Sequence, residues 1–163
     1  MGFLPGKVPT EILERIVFKN LGVKRNDVVV GPAAGVDVAI VKAGKELLAV
    51  STDPITGAEE WIGWLAVNVS ANDVATCGVQ PRWFVSCMLL PESSEEALID
   101  KICRQIDRAA CQLGVAVIAG HCEITPGIGH PIVVGCAVGV AEGGKYVTSS
   151  LSLIHISEPT RPY

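Results

Sequence analysis

Apolar residues recur along the chain with two spacings, and the changes of spacing predict its helices and strands. A 3.6-residue period predicts an amphipathic helix over residues 9–22 that ends at a glycine, Gly22. Three short apolar runs then predict strands at 27–31, 36–43 and 46–53. Only Gly44 and Lys45 separate the last two runs, so these strands are predicted to form a hairpin.

In the second half of the chain the apolar segments are longer, and predicted helices alternate with predicted strands. A buried helix is predicted from Glu59 to Cys77, and a second helix over 93–113 is expected to open on a Ser93-x-x-Glu96 capping box. Three strands are predicted around them, separated near the end by a Gly- and Pro-rich loop at 120–130, and they cover residues 82–91, 115–120 and 131–142. This pattern favours an α+β domain whose helices pack on one face of a mixed sheet.

The last predicted strand, "PIVVGCAVGVA", is apolar on both of its faces. A strand of this kind needs a cover on each side, and helices on one face supply only one. We therefore expect the other face of the sheet to pack against a second copy of the chain, so that the protein is a homodimer.

Composition narrows the possible classes of protein. The 163 residues are 49% hydrophobic with a mean hydropathy of +0.42, yet no apolar run is long enough to span a membrane. The net charge of −4 comes without a basic stripe, which argues against a nucleic-acid partner. No apolar signal region follows the amino terminus, and the six cysteines never form a C-x-x-C pair. These features predict a cytoplasmic protein with reduced cysteines in its core.

Four acidic residues stand beside the predicted strands and the central helix: Asp37, Asp53, Asp73 and Glu123. Carboxylates gathered at strand ends repel one another, and a divalent cation such as Mg²⁺ relieves that repulsion. The competing interpretation is that they are ordinary turn and cap residues. Asn68, Asn72 and Asp73 also interrupt an apolar helix, either as a satisfied structural network or as the wall of a ligand site.

Four motifs in order resemble the amino-terminal, ATP-binding domain of the AIR synthase-like (PurM-like) superfamily: "GPAAGVDVAIV", "AVSTDP", "GWLAVNVSANDVATCGVQPRW" and "AGHCEITPGIGHPIVVGCAVG". The resemblance covers residues 5–148. It is strongest to the branch of AIR synthase-related and hydrogenase expression/formation proteins, which includes the hydrogenase maturation factor HypE. The resemblance implies a dimer whose sheets pair into a β-barrel, with ATP and Mg²⁺ at the cleft.

The same resemblance assigns roles to individual positions. It implies metal or phosphate contacts for Asp37, Asp53 and Asp73. It implies nucleotide contacts or support for Gly6, Lys7, Asn68, Asn72, Gly120 and Glu123. Two positions depart from the family pattern, because Val36 stands where the family has a second acidic residue and Cys122 stands where it has threonine.

Residues 1–148 are thus expected to form one ATP-binding and dimerisation domain. The remaining residues, 149–163, contain "LSLIHISEPTRPY", which resembles a translated sequencing adapter, so we expect a non-native tail in place of a carboxy-terminal domain. For the full-length protein the resemblance implies ATP-dependent activation of a carbonyl or amide oxygen, in the HypE case dehydration of a thiocarbamate to a thiocyanate with a maturation partner protein. Two alternatives stay open: a small-molecule kinase of the thiamine-monophosphate type, and a dimeric binding module without turnover.

Overall fold

A computed structural model describes residues 2–58 and 60–148. Glu59, where the central helix was predicted to begin, and the predicted tail at 149–163 lie outside these residues. Within the described ranges, three α-helices and six β-strands follow one another in the order α1 Thr10–Arg15, β1 Val28–Val30, β2 Ala39–Ala43, β3 Glu46–Ile55, α2 Ile62–Thr76, β4 Pro81–Leu90, α3 Glu96–Leu113, β5 Ala116–Ile124 and β6 Ile132–Val140.

The six strands form one mixed sheet in the order β1-β2-β3-β6-β4-β5. Every neighbouring pair is antiparallel except β4 and β5, which run parallel and are joined through α3. The predicted hairpin is confirmed, since Ala43 pairs with Glu46 across the turn at Gly44-Lys45. Strand β3 lies between β2 and β6, and β1 and β5 form the two edges of the sheet.

Helices α2 and α3 pack on one face of this sheet, as the hydrophobic pattern predicted. Alternate residues of β4 and β6, such as Phe84 and Val133, are fully buried against them. Two glycines allow α2 to approach both α3 and the sheet closely. A Cβ at Gly63 would lie 2.5 Å from the carbonyl oxygen of Ile102, and one at Gly135 would lie 2.6 Å from that of Ala66. The core therefore lies between the helix pair and the sheet.

The opposite face of the sheet, which we call the open face, carries no helix among the described residues. Its side chains on β3, β4 and β6 are mostly apolar and half-buried, and they include Val50, Val85, Leu89, Val134 and Val138. Strand β5 is exposed along its whole length. No helix within the described part of the chain is long and apolar enough to cross a membrane.

Several predicted boundaries are wrong. Helix α1 ends at Arg15 and is followed by a 3-10 turn at Val17–Lys19, so it is much shorter than predicted. The residue that caps α3 is Glu95, with no side-chain capping bond, so the predicted capping box does not form. Strand β5 continues to Ile124, so the first residues of the predicted loop belong to a strand.

The cysteines also differ from their prediction as core thiols. Cys77 is buried, and burial raises the pKa of its thiol. Cys87 and Cys136 are only half-buried, while the other three are exposed: Cys103, Cys111 and Cys122. All six are free, in agreement with the absence of paired C-x-x-C motifs.

Candidate functional site

Three acidic residues from distant parts of the sequence meet at one end of α2. Asp53 lies near the carboxyl end of β3, and its alternation with buried Ala49 and Ser51 directs it to the helix-covered face. Asp73 lies on the last turns of α2, and Asp37 lies two residues before the start of β2. Asp37 is thus placed just before a strand, rather than early within one as predicted.

Ser51 joins these segments. Its hydroxyl lies 2.8 Å from Asp73 Oδ2 and 3.0 Å from the carbonyl oxygen of Asp37, so it can donate a hydrogen bond to either. The Ser51 side chain is almost completely buried. A buried hydroxyl that donates to a carboxylate fixes the orientation of that carboxylate, and Asp73 is therefore held in place by β3.

The electrostatics of Asp53 distinguish it from an ordinary surface aspartate. Burial, together with the neighbouring carboxyl of Asp73 and the charge of Asp37, raises the pKa of Asp53 to about 6. Asp53 Oδ2 is buried, and no hydrogen-bond partner contacts it within the described residues. Two adjacent carboxyls with an unpartnered buried oxygen between strand and helix form a place where a cation would replace a proton.

Lys7 is brought to the same place by the amino-terminal segment. The positive charge of its ammonium group partly opposes the rise in the Asp53 pKa, which places Lys7 within electrostatic range of the acidic pair. Gly6, beside it, has a positive φ of 135°, a backbone conformation that side chains disfavour. Lys7 thus lies near the carboxylates, while the contacts of Gly6 and Lys7 with a nucleotide stay a prediction.

Among the described residues, neither Asn68 nor Asn72 forms a hydrogen bond with Asp73, and their contacts with a nucleotide stay a prediction. The amide of Asn68 donates a hydrogen bond of 2.9 Å to the carbonyl oxygen of Trp64, one turn earlier in its own helix. Asn72 is exposed. The hydrogen bond that orients Asp73 comes instead from Ser51, which the sequence analysis missed. The spacing in "VSTD" could have indicated it, because residues two apart on a strand share a face.

The donor set determines what kind of metal could bind. Within residues 2–58 and 60–148, no group of three or more His, Cys, Asp or Glu side chains is arranged to hold a metal ion. Magnesium, however, is commonly held by one or two carboxylates, with waters and phosphate oxygens completing its octahedron. Asp53 and Asp73, with the unpartnered Asp53 Oδ2, fit that two-carboxylate arrangement. Asp37 acts on the pair through its charge.

The structure separates Gly120 and Glu123 from this acidic site. The register places Asp53, Gly135, Ser86 and Gly120 side by side on four neighbouring strands. Three inter-strand spacings therefore separate Asp53 from Gly120, a distance of about 14 Å. Gly120 itself approaches the β4 backbone closely, since a Cβ there would lie 2.8 Å from the carbonyl oxygen of Ser86.

Glu123 lies on the other side of the sheet. It pairs in register with Leu89, whose half-exposed side chain alternates with buried Met88 and Leu90, so Glu123 faces the open face. Its carboxylate contacts His121 Nε2 at 3.0 Å and accepts a 2.9 Å hydrogen bond from Thr125. The contact with His121 holds the pKa of Glu123 below its usual range. Glu123 thus forms a second, exposed cluster on strand β5, and was wrongly predicted to start a loop.

Comparison with characterised proteins gives relatives in two branches. A Methanocaldococcus jannaschii protein named as a hydrogenase expression/formation protein is 26% identical over 147 residues, which cover 87% of this chain and 44% of that protein. A thiamine-monophosphate kinase of Archaeoglobus fulgidus is 31% identical over 130 residues, 74% of this chain and 40% of that protein. The chain therefore spans less than half the length of these relatives.

Solved structures share the fold. The HypE–HypF complex matches with a TM-score of 0.67 at 19% identity, over 84% of this chain and 44% of that one. A thiamine-monophosphate kinase, AaThiL, complexed with AMPPCP and TMP, matches with a TM-score of 0.68 at 23% identity, over 89% and 47%. The family model for the amino-terminal domain of AIR synthase related proteins matches residues 35–141, more than half of the chain. This protein belongs to that AIR synthase-related, PurM-like family.

Proposed function

We propose that this chain is the ATP- and Mg²⁺-binding part of an AIR synthase-related enzyme, in which a phosphoryl group of ATP activates a carbonyl or amide oxygen. The observation that carries the proposal is the Asp53–Asp73 pair, in which the pKa of Asp53 is raised and Asp53 Oδ2 is buried without a hydrogen-bond partner among the described residues. A like-charged buried pair is costly unless a cation accompanies it, and a Mg²⁺–phosphate group would provide that cation.

Each residue of the acidic site has a separate task in this proposal. Asp53 and Asp73 would hold Mg²⁺, and Ser51 keeps the Asp73 carboxylate oriented towards it. When bound, Mg²⁺ supplies charge neutralisation for the phosphate oxygens. Lys7, already within range of Asp53, would add a positive charge on the phosphate side. Asp53 must lose its proton to bind the metal, so binding of Mg²⁺ strengthens as the pH rises through about 6.

The comparisons support nucleotide chemistry in both branches, since HypE was also solved in complex with ATP, but they do not choose between the branches. One structural neighbour was solved with the nucleotide analogue AMPPCP, and one relative is a kinase by name. Another relative is named for hydrogenase expression/formation, and HypE itself was solved in complex with a second protein, HypF. We propose the HypE-like dehydration, with a maturation partner protein, as the first candidate. Phosphorylation of a small molecule is the second, supported by the 31% identity to the kinase.

We further propose that the open face of the sheet packs against a second copy of the chain in a homodimer. Half-buried apolar side chains cover its central strands. A large contiguous apolar surface of this kind is unusual on a monomer and typical of a permanent interface. Pairing through the sheets would complete the β-barrel that the resemblance implies. Sedimentation velocity of the chain gives the test, and a monomer at micromolar concentration would contradict the dimer.

A titration with ATP, in the presence and absence of Mg²⁺, tests the nucleotide site. Saturable binding that requires Mg²⁺ is the expected result by isothermal titration calorimetry. The double variant Asp53→Asn plus Asp73→Asn should weaken it by about a hundredfold, because both charged metal ligands are removed. A matched double variant at exposed carboxylates, Asp27→Asn plus Asp107→Asn, should leave it unchanged. Unchanged affinity in the first variant would remove Asp53 and Asp73 from the site.

The fate of the phosphate distinguishes the two enzymatic candidates. In the full-length protein, a HypE-like reaction releases inorganic phosphate, whereas a kinase leaves the phosphoryl group on its product. Terminally labelled ATP followed through one turnover gives this answer directly. Binding of Mg·ATP with neither outcome, across carbamoylated and thiamine-type substrates, would favour a binding module without turnover.

A further inference from the structure

A groove between α2 and α3, on the outer side of the helix layer and away from the acidic site, has no role in the proposed function. It is lined by Trp61, Trp64 and Leu65 from the start of α2 and by Arg108 and Gln112 from α3, and it has a volume of about 540 Å³. A neighbouring cavity of about 470 Å³ extends it along α3 past Arg104 and Lys101. Together they form a continuous surface that we call the Trp–Arg groove.

The groove presents two aromatic side chains to solvent. Trp61 is 55% exposed and Trp64 is half-buried, although the rest of this part of α2 is packed in the core. Tryptophan buries a large area on contact and loses little conformational entropy, which is why it is concentrated at the centres of protein interfaces. Two tryptophans one helical turn apart therefore give the groove an apolar floor with room for a partner side chain.

Basic residues form one wall of the groove. Lys101, Arg104 and Arg108 follow one another at i, i+3 and i+7 on α3, so they lie along the same edge of the helix. Arg104 is paired with Asp100 at 2.7 Å. Arg108 makes no ion pair with any described residue. An unpaired guanidinium beside two indole rings is suited to a carboxylate that arrives with an apolar side chain.

The walls of the groove are fixed before any partner arrives. Gln105 of α3 accepts a 3.0 Å hydrogen bond from the backbone amide of Gly63 and donates one to the carbonyl oxygen of Glu60. These bonds tie the first turn of α2 to the middle of α3. A surface held in this way loses less entropy on binding than a flexible one.

We propose that the Trp–Arg groove docks a segment of a partner protein in which acidic residues stand beside large apolar ones. Charge complementarity selects this partner. The lining of the groove includes one acidic residue, Asp100, against three basic ones, so it carries a net positive charge while the chain as a whole carries −4. A second copy of the chain fits the groove poorly. A two-fold contact through it would place the basic edge of α3 against itself.

A labelled synthetic peptide tests this proposal with the chain as it stands. The probe alternates Asp or Glu with Leu or Phe, and fluorescence anisotropy gives its affinity while tryptophan emission reports contact with the groove. One control peptide replaces the acidic residues with Lys, and another replaces the apolar residues with Ser. We expect saturable binding of the acidic–apolar peptide and about tenfold weaker binding or none for each control.

Matched variants of the chain connect the binding to the groove. Arg108→Glu should weaken binding of the peptide about tenfold, and Trp61→Ala should do so independently. Lys45→Glu makes the same change of charge on the exposed turn between β2 and β3 and should leave the affinity within about twofold. The melting curve of each variant should match that of the wild type, since all three side chains are exposed and that of Arg108 makes no hydrogen bond among the described residues.

Four results would overturn the proposal. They are equal binding of either control peptide, no saturable binding of the acidic–apolar peptide at physiological salt, full displacement of that peptide by stoichiometric 3-phenylpropionate, and loss of self-association in the Arg108→Glu variant. The third result would make the groove a small-molecule site, and the fourth would make it an interface between copies of the chain. Binding of ATP to the acidic site is measured separately, so it is unaffected by the outcome.

Discussion

The pKa of a carboxyl group is shifted in opposite directions on the two faces of the sheet. On the helix-covered face, Asp53 is partly buried beside Asp73, its Oδ2 is unpartnered, and its pKa rises to about 6. On the open face, Glu123 is exposed beside His121 and Thr125, and its pKa falls below the usual range. Both residues lie near the carboxyl ends of strands in the same sheet. Their surroundings, rather than their position on a strand, decide whether charge is strained or satisfied.

This difference indicates which carboxylate is stabilised more when a cation binds. A strained pair gains when a cation arrives, because the cation removes repulsion already present in the fold. A satisfied carboxylate must give up its existing partners first. The acidic pair on the covered face is therefore the better candidate for Mg²⁺, and variants placed on both faces can test the contrast.

The largest expected effect comes from the packing of the covered face. Gly135→Ala would place a methyl group 2.6 Å from the Ala66 carbonyl oxygen and from Ser70 Oγ, and 2.8 Å from the Phe84 ring. We expect the free energy of unfolding to fall by about 3 kcal/mol in urea titrations followed by circular dichroism. The control is Gly129→Ala, which meets nothing within 4 Å. If both variants unfold alike, α2 does not rest on β6 as described.

The next largest effect on stability is expected when a side-chain hydroxyl is removed, and it should differ between the two faces of the sheet. Ser51→Ala removes the buried donor to Asp73 and should lower the free energy of unfolding by about 1–2 kcal/mol. Thr52→Ala removes an exposed hydroxyl that donates 2.8 Å to the Gly135 carbonyl oxygen, and it should cost about 0.5 kcal/mol. Thermal melting of the two variants measures the difference. Equal costs would mean that Ser51 does not support a buried charge.

Asp53→Asn should stabilise the chain near neutral pH when no metal or nucleotide is added. The folded state of the wild type holds the Asp53 proton up to about pH 6, whereas the pKa of a free aspartate side chain is 3.8. Wild-type stability from this group is thus present below pH 3.8 and is lost as the pH rises through 6. The variant lacks that loss. Because Asp53 is only partly buried, solvent screens the repulsion, so we expect a gain of only roughly 1 kcal/mol at pH 7.5, about 2–4 °C in melting temperature.

The same comparison run at pH 3.5 gives the control. Both proteins are then uncharged at position 53, so the gain of the variant should shrink towards a small constant offset. A stability difference that is the same at pH 3.5 and pH 7.5 would show that the Asp53 carboxyl is not strained in the folded chain.

The smallest effect is expected on the open face. Glu123→Gln removes an exposed carboxylate whose partners are also exposed. The melting temperature at neutral pH and the affinity of the chain for Mg·ATP should both stay within experimental error, because exposed ion pairs add little and the residue faces away from Asp53. A marked loss of ATP affinity would join the two clusters into one site and would contradict the separation described above.

The sequence predicted the fold class and the hairpin because both depend on local patterns. The apolar runs at β3 and β6, the helical period of α3 and the two-residue turn at Gly44-Lys45 are each patterns over a few residues. Strand β5 was predicted too short because its end, "HCEI", mixes polar and apolar residues, and its pairing with β4 depends on contacts distant in sequence. Helix α1 was predicted too long because the helical pattern of apolar residues continues beyond Arg15, without packing that would stabilise a longer helix.

The candidate site could be predicted from the sequence only in part, for the same reason. Asp37, Asp53, Asp73 and Lys7 came from motifs, and the fold brings them together. Ser51 was missed because its partner is 22 residues away in sequence. Glu123 was grouped with them because motif order gives no information on which face of a strand a side chain occupies. That face depends on the register with β4, including the bulge between Phe84 and Val85.

The position of β3 inside the sheet has a consequence for the order of folding. Thr52, beside Asp53, bonds to Gly135 across a separation of 83 residues. Until β6 has been synthesised, β3 lacks one of its two neighbours and stands at an edge. Because Asp53 lies on β3, the sheet around the acidic pair is completed only when β6 pairs with β3, late in the synthesis of the chain.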